Sequence, residues 1–460
     1  MKYIVKTVFK IVLIYILLGE PLYSCKSIEK NIKDTIPNIV FIISDQWSAV
    51  ASDGSGLNKY PRTRNIDNLA SNGVRFTQAY SSFPVSSPAR VSMFTGQMPH
   101  QFGVKGNFHK VDRISKNFET LGELFEKAGY EMGYFGKDHT GGGTTRGFGT
   151  RDMITDSGGW LSDGSIFDPI STREAVEFIR INKDKPFFVT LSLINPHDIC
   201  TTTINSKFSY GGSFVEHKFL EPRFDEILLP GNHTDTVLQA MLPGYAKERA
   251  AVDYSTTEEE WLEYVRFYYV LIENTDWNIG LVLKTLEETG VENNTLVVFI
   301  TDHGDMMSAH RMRQKGTFFE EAARIPFILS WPGEIEFPKI CDELVSTIDI
   351  MPTICDYAGL EISQPIDGIN LRPVIENTGV NLREYLVCET SLARMVRFGK
   401  YKYVQSVEGE EVLFDLEYDP GEGSNIAAHT DMRPVLDSAR VWLKEWTDKT
   451  NDWFTPAEYK

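Results

Sequence analysis

Two stretches of this chain constrain its fold more than any others. Asn38-Ile-Val-Phe-Ile-Ile-Ser44 and Thr295-Leu-Val-Val-Phe-Ile-Thr301 are apolar nearly throughout, and each stops at an aspartate, Asp45 and Asp302. A strand with one wet face alternates apolar and polar residues. A run without alternation reads as a strand covered on both faces, as in a parallel sheet with helices on either side. Tyr130–Phe135, Phe187–Leu193 and Ile325–Ser330 read as further strands. Helical patterns lie between them at Thr63–Asn72, at Thr120–Gly129, and from Glu259 to Glu288, where Gly290 stops the last. Alternation of this kind predicts an α/β fold: a large mostly parallel or mixed sheet sandwiched by helices.

From about Arg383 the texture changes. Tyr385–Thr390, Met395–Gln405 and Glu411–Leu416 read as strands joined by tight turns, and Arg433–Trp446 as a helix. The expected organisation is a catalytic domain over 37–380 and a smaller C-terminal α+β subdomain over 381–460. The polar stretch 198–258 has weak periodicity and reads as loops over one face.

The first 36 residues stand apart. Lys2, Lys6 and Lys10 precede the apolar run Ile11–Gly19, the pattern of a secretory signal. That run is too short for a membrane-spanning helix, which needs about 20 residues. Leu22-Tyr23-Ser24-Cys25 follows and resembles the lipobox of bacterial lipoproteins, with Tyr23 a looser match. Residues 1–25 therefore read as a signal with Cys25 as lipidation site, and 26–36 as a lysine-rich tether. The expectation is an exported protein, periplasmic or held at the outer membrane, touching membrane only through a lipid anchor.

Charge narrows the function. There are 46 Lys+Arg against 64 Asp+Glu, a net charge of −18. Nonspecific nucleic-acid binding needs a basic face, so nucleic acid is not an expected partner. Attraction for an anionic substrate has to come from a local site. Five scattered cysteines without a C-x-x-C give neither a disulfide scaffold nor a thiolate zinc site.

In an open parallel sheet, ligands bind outside the carboxyl ends of the strands. Asp45-Gln46 and Asp302-His303 stand at two such ends. Two acids, an amide and an imidazole make a mainly oxygen-donor set for a hard divalent cation. Each pair alone also reads as an ordinary helix cap. A third segment is Ser86-Ser-Pro-Ala-Arg90, followed by Thr95-Gly96. Proline after Ser87 marks a helix start and sets Ser86 just outside its N-terminus, where free N–H groups and the dipole favour an anion.

Ser86-Ser-Pro-Ala-Arg90 resembles the Cys/Ser-x-Pro-x-Arg signature of the sulfatase family, in the alkaline-phosphatase superfamily. The resemblance runs over nearly the whole chain after Cys25. It takes in Gly136-Lys-Asp-His139, Asn195-Pro-His197, Thr301-Asp-His-Gly-Asp305, Lys315-Gly-Thr-Phe-Phe-Glu-Glu321, Val345–Asp349 with Pro352-Thr353, and Phe414–Pro420. It implies that Ser86 is oxidised to formylglycine, whose hydrated aldehyde attacks sulfur with one hydroxyl and releases sulfate through the other. Serine rather than cysteine at that position implies a radical-SAM maturation enzyme as partner. An unmodified serine is a poor nucleophile without a base beside it.

The resemblance assigns the other residues too. Arg90 steadies the diol. Asp45, Gln46, Asp302 and His303, with the oxygen on residue 86, hold one divalent metal, most often calcium in this family. Here Gln46 and His303 are neutral where carboxylates are common. Lys137 and Lys315 contact sulfate. His139 bonds the diol and serves as base, and His197 protonates the leaving alcohol. His310 is expected to line the substrate pocket. His100, His109, His217, His233 and His429 are read as structural, and Glu320, Glu321 and Arg324 as scaffold. Two lysines, an arginine, a metal and a helix N-terminus are the fixed positive groups that charge developing on sulfate requires.

The expected activity is hydrolysis of a sulfate ester on a sulfated saccharide or small molecule. Two alternatives stay open: a phosphate or phosphonate ester hydrolase of the same superfamily, and a non-catalytic binder of sulfated glycans. Specificity is expected to lie in 198–258 and the C-terminal part.

Overall fold

The computed structural model describes residues 36–52, 60–108, 111–152, 164–201, 227–235, 252–336, 338–376 and 380–454. The signal and tether, save Ile36, and most of 198–258 lie outside the described residues. Those described belong to one compact unit, and among them no helix is long and apolar enough to cross a membrane.

Eight strands form the main sheet: β1 Asn38–Asp45, β2 Val74–Tyr80, β3 Glu131–Gly136, β4 Thr150–Asp152, β5 Phe187–Pro196, β6 Thr295–Thr301, β7 Phe327–Ser330 and β8 Lys339–Ser346. Their order is β4-β3-β5-β1-β6-β7-β2-β8. From β4 to β6 all neighbours are parallel, while β7 runs antiparallel to both β6 and β2. The sheet is therefore mixed, with five adjacent parallel strands centred on β5.

Alternation now appears as two covered faces. Ile39, Phe41 and Ile43 pack on one side with helices α2 (Ser86–Thr95), α3 (Leu121–Lys127) and α6 (Ile350–Tyr357), through Phe94, Phe125 and Ile354. Val40 and Ile42 pack on the other with α1 (Arg64–Ser71), α4 (Gly164–Asn182) and α5 (Glu258–Thr289), through Leu69, Phe178 and Tyr268. Each of these buried strand side chains contributes about 1.5–3 kcal/mol by leaving water. Thr257 starts α5 with a capping box to Glu260, and Gly290 ends it in the left-handed region.

The C-terminal sheet has four antiparallel strands in the order β12-β11-β10-β9: β9 Leu386–Glu389, β10 Ala393–Phe398, β11 Tyr401–Ser406 and β12 Glu411–Asp415. The stretch Met395–Gln405, expected as one strand, is a hairpin. Phe398 pairs with Tyr401 across a two-residue turn at Gly399, whose φ is 44°. Apolar residues run up to Gly399-Lys400 on both sides, and those two residues are the whole of the interruption. Helix α7 (Arg433–Thr450), longer than expected, covers one face through Leu436, Ala439 and Leu443. The other face packs on Tyr80, Phe318 and Phe319. Strands β2 and β8 and helix α4 had no clear sequence signal. The two strands are half-exposed, with mixed patterns, and α4 carries Pro169 inside it.

Candidate active site

Four adjacent parallel strands end on one edge of the sheet. Strand β3 delivers Lys137 and His139, β5 delivers His197, β1 delivers Asp45 and Gln46, and β6 delivers Asp302 and His303. The sequence supplies the pairs; strand order brings them together. Gly136 closes β3 with φ 102°, and a Cβ there would lie 2.0 Å from Ser192 O. Only glycine lets the chain turn into Lys137 so close to β5.

Ser86 reaches the same place from β2. Ser81 Oγ donates to Asp302 O at 2.6 Å, tying the segment after β2 to the end of β6. Helix α2 begins at Ser86 itself, with Val85 as cap residue, so Ser86 is the first helical residue rather than just outside. Ser86 Oγ lies 3.0 Å from His303 Nε2. His303 Nδ1 faces Gly304 O at 3.0 Å, which fixes the proton on Nδ1 and leaves the lone pair of Nε2 directed at Ser86. The sequence shows no base beside Ser86; the fold places an imidazole there.

Arg90 is the hub. Its Nη2 reaches Asp45 Oδ2 and its Nε reaches Asp302 Oδ2, both at 3.0 Å, with all three side chains buried. Its Nη1 donates to Ser192 Oγ at 2.7 Å and to Lys137 O at 3.1 Å. Lys137 Nζ lies 2.7 Å from Asp45 Oδ2. Burial alone would raise the Asp45 pKa, but the charges of Lys137 and Arg90 hold it well below the usual carboxylate range. Burial and the Asp45 charge push Asp302 up. Burial, with Lys137 and Lys315 nearby, holds His197 well below its ordinary value, so the imidazole is neutral at rest.

The carboxylates have a second side. Asp45 Oδ1 is buried and accepts no hydrogen bond. An Asp45 oxygen, an Asp302 oxygen and a His303 ring nitrogen converge within 4.8 Å of one another. A bare anionic oxygen in the interior is costly. Its neighbours are a second carboxylate and an imidazole lone pair, so the donor set fits a divalent cation. Gln46 sits beside this set: its Nε2 donates to Asp305 Oδ2 at 2.7 Å, and its Oε1 accepts from Lys315 Nζ and from Cys200 Sγ.

His139 is buried beside the Ser86–Arg90 segment, with φ 59°. Its carbonyl accepts from Ser87 Oγ at 2.5 Å. Lys315 follows a loop in which Met307, Ser308, His310, Arg311 and Gln314 all have positive φ. Left-handed backbone at non-glycine residues costs about 1–3 kcal/mol each and persists only where the surroundings enforce it. His310 is fully buried, stacked on Phe319 at 4.1 Å between centroids, with Nε2 3.4 Å from Asn232 Nδ2. Glu320 binds Arg324 and Lys402, both at 2.7 Å, as scaffold.

Several supporting residues carried no role in the sequence reading. Asp168 accepts from the N–H groups of Ile194 and Asn195 at 2.7 and 2.9 Å, bracing the strand end before His197. Asp305 lies in the quoted Thr301–Asp305 segment. Tyr264 and Tyr268 come from α5, 41 residues from Asp305 and 222 residues from Gln46 respectively, and no local signal marks them.

The Sulfatase family model matches residues 37–360, and a second model, for the C-terminal part of N-sulphoglucosamine sulphohydrolase, matches 308–449. The chain belongs to the sulfatase family. It is a sulfuric ester hydrolase with the alkaline-phosphatase-like fold. A Delta 4,5-hexuronate-2-O-sulfatase of Bacteroides thetaiotaomicron is 31% identical over 414 residues, covering 85% of this chain and 84% of that protein. A solved 2-O GAG sulfatase superposes with a TM-score of 0.75 at 29% identity, covering 90% of this chain and 93% of the other. The phosphonate monoester hydrolase of Agrobacterium radiobacter shares the fold, with a TM-score of 0.71 at 23% identity, over 90% of this chain and 96% of the other. That last likeness concerns the fold alone.

Proposed function

We propose that this sulfatase removes sulfate from a sulfated saccharide, using formylglycine made from Ser86 and one bound divalent cation, calcium. The observation that carries the reading is the convergence of Ser86, Arg90, Lys137, the Asp45/Asp302/His303 set and His197 at one edge of the sheet. Two similar proteins named above are sulfatases of a hexuronate and of GAG, which supports a sugar sulfate as substrate.

Asp45, Asp302 and His303, with Gln46 beside them, would hold the cation, which would supply Lewis-acid polarisation of the sulfate oxygens. Modification of Ser86 supplies a nucleophile with a built-in means of releasing sulfate. The chain does the rest. Lys137 and Lys315 bind sulfate oxygens as charge accumulates on them. Arg90 holds both carboxylates rigid and balances their charge. His197, neutral at rest beside the two lysines, gains a proton more readily once an anionic ester offsets those charges, and then donates it to the leaving alcohol. His139 takes a proton from residue 86.

A comparison of sulfate and phosphonate monoesters with the same leaving group tests the reaction class. Faster turnover of the phosphonate would transfer the protein to the hydrolase alternative. We further propose export and anchoring through Cys25, supported by the Lys2/Lys6/Lys10 and Ile11–Gly19 pattern. Cys25→Ala should move the protein from the membrane to the soluble fraction.

A further inference from the structure

Gln46 has two chemically different ends, a carbonyl that accepts and an amino group that donates. Which end faces the site matters, because Lys315 Nζ hydrogen-bonds one of them. The orientation is fixed from behind. Asp305 Oδ2 accepts from Gln46 Nε2 at 2.7 Å. Asp305 itself is held by four further contacts: Met307 N at 2.7 Å, Gln314 N at 3.1 Å, and Tyr264 OH at 3.0 and 2.9 Å from its two oxygens. All of these groups donate, so the carboxylate can only accept from Gln46. The carbonyl end is thereby turned to Lys315 Nζ, and the Cys200 thiol, 3.1 Å away, donates to the same oxygen.

The backbone of Gln46 has no freedom to compensate. Its φ is 71°. Its N–H donates to Asp302 Oδ1 at 3.2 Å, and its carbonyl accepts from Tyr268 OH at 2.6 Å. The Tyr268 hydroxyl also accepts from Ser48 N at 2.9 Å. A reversed amide would set two donors, the carboxamide NH₂ and the Lys315 ammonium, against each other in a buried site.

We propose that Asp305 is a positioning residue for substrate binding: it sets the polarity of the Gln46 amide and thereby seats Lys315 toward sulfate. The inference rests on the reading of this site as a sulfate site. Asp305 touches no reacting atom; it acts through Gln46 and Lys315.

The test uses the whole protein with unmodified Ser86 in calcium-containing buffer, and inorganic sulfate as the probe, measured by calorimetry. Binding of this product anion needs no turnover. Asp305→Asn replaces one of two acceptor oxygens by an NH₂ in a pocket where Gln46 Nε2, Met307 N, Gln314 N and Tyr264 OH all donate. Sulfate binding should weaken at least about tenfold, the size expected when a buried charged group loses a hydrogen bond. The exchange of Asp305→Asn with Gln46→Glu restores donor-to-acceptor polarity with the same net charge. It should recover affinity to within about threefold. Wild-type affinity in Asp305→Asn, or a folded exchange variant as weak as the single one, overturns the proposal. If Asp305→Asn does not fold, the exchange variant decides. Folding with sulfate binding restored supports the proposal. Folding without it, or failure to fold, overturns it. Wild-type protein that binds no sulfate at all sinks the sulfatase-site reading, and the inference with it, which is a different result from either variant outcome.

Discussion

Ser86 Oγ and His303 Nε2 lie 3.0 Å apart, one at the first residue of a helix and the other just past the end of the central strand pair. The imidazole is neutral, its pKa held well below the ordinary value by burial and by Lys315. It is also one of the three convergent groups that could hold a cation. One lone pair cannot bind a cation and accept the serine proton together. With the site loaded, unmodified Ser86 is therefore left without its base. Protein made without a serine-type maturation enzyme should fold and show no sustained turnover. Co-expression with that enzyme should remove two hydrogens from the Ser86 peptide, seen by mass spectrometry, and switch activity on. Full turnover by protein whose Ser86 peptide keeps its unmodified mass would overturn this mechanism.

Calcium should stabilise the fold measurably. A ligand present at 100 times its Kd adds about 2.7 kcal/mol when it binds only the native state. Chelation should lower Tm, and restored calcium should raise it again. In Asp302→Ala both activity and the calcium-dependent shift should vanish. Metal analysis should give one divalent ion per chain; two equivalents of zinc would point to the phosphatase-type centre instead.

Removing Arg90 should cost more than removing an ordinary ion pair. Its guanidinium serves Asp45 and Asp302 together, with no solvent to replace it. Breaking a buried pair from one side costs about 3–5 kcal/mol. Arg90→Ala should show at least that loss in urea denaturation, with activity abolished. A stability change under about 1 kcal/mol would mean that the carboxylates are balanced without it.

His197→Ala should separate substrates by leaving group. Loss of a general acid typically costs about 10²–10⁴-fold. That full loss is expected for a sugar sulfate, whose alkoxide leaves poorly. An activated aryl sulfate should lose far less. Equal losses on both would assign His197 to sulfate binding or to structure.

His100, in the turn after α2, ties the C-terminal part to the catalytic part. Its Nδ1 lies 2.6 Å from Glu389 Oε2 and its Nε2 3.1 Å from Thr450 O. Both partners accept, so the bonded ring carries both protons. Burial opposes that charge, but Glu389, followed by Asp452, raises the pKa above its ordinary value. A group with a raised folded-state pKa adds stability fully below its unfolded value of about 6.5, and that contribution is lost as pH rises through the folded-state value. Unfolding free energy should therefore fall across that window in wild type. In His100→Gln that decline should flatten; an unchanged pH profile would show that the tie is not ionic.

What the sequence determined by itself is what depends on local pattern. The unbroken apolar runs ending at Asp45 and Asp302 specify strands buried on both faces, and those ends are where ligands bind in a parallel sheet. The order and spacing of the Ser86–Arg90, Lys137–His139, His197 and Asp302–Lys315 segments carried the family resemblance and most of the site. The tertiary structure decided everything that depends on which strand lies beside which. The order β3-β5-β1-β6 puts four separate segments on one edge. Arg90 then falls between two carboxylates, and His303 beside Ser86. Packing of α5 on the sheet brings Tyr264 to Asp305 and Tyr268 to Gln46, and His310 stacks on Phe319. A side chain's chemistry is written at its own position. Its hydrogen-bond partners, its tautomer and its charge come from residues distant in the chain, and only the packed fold brings those within reach.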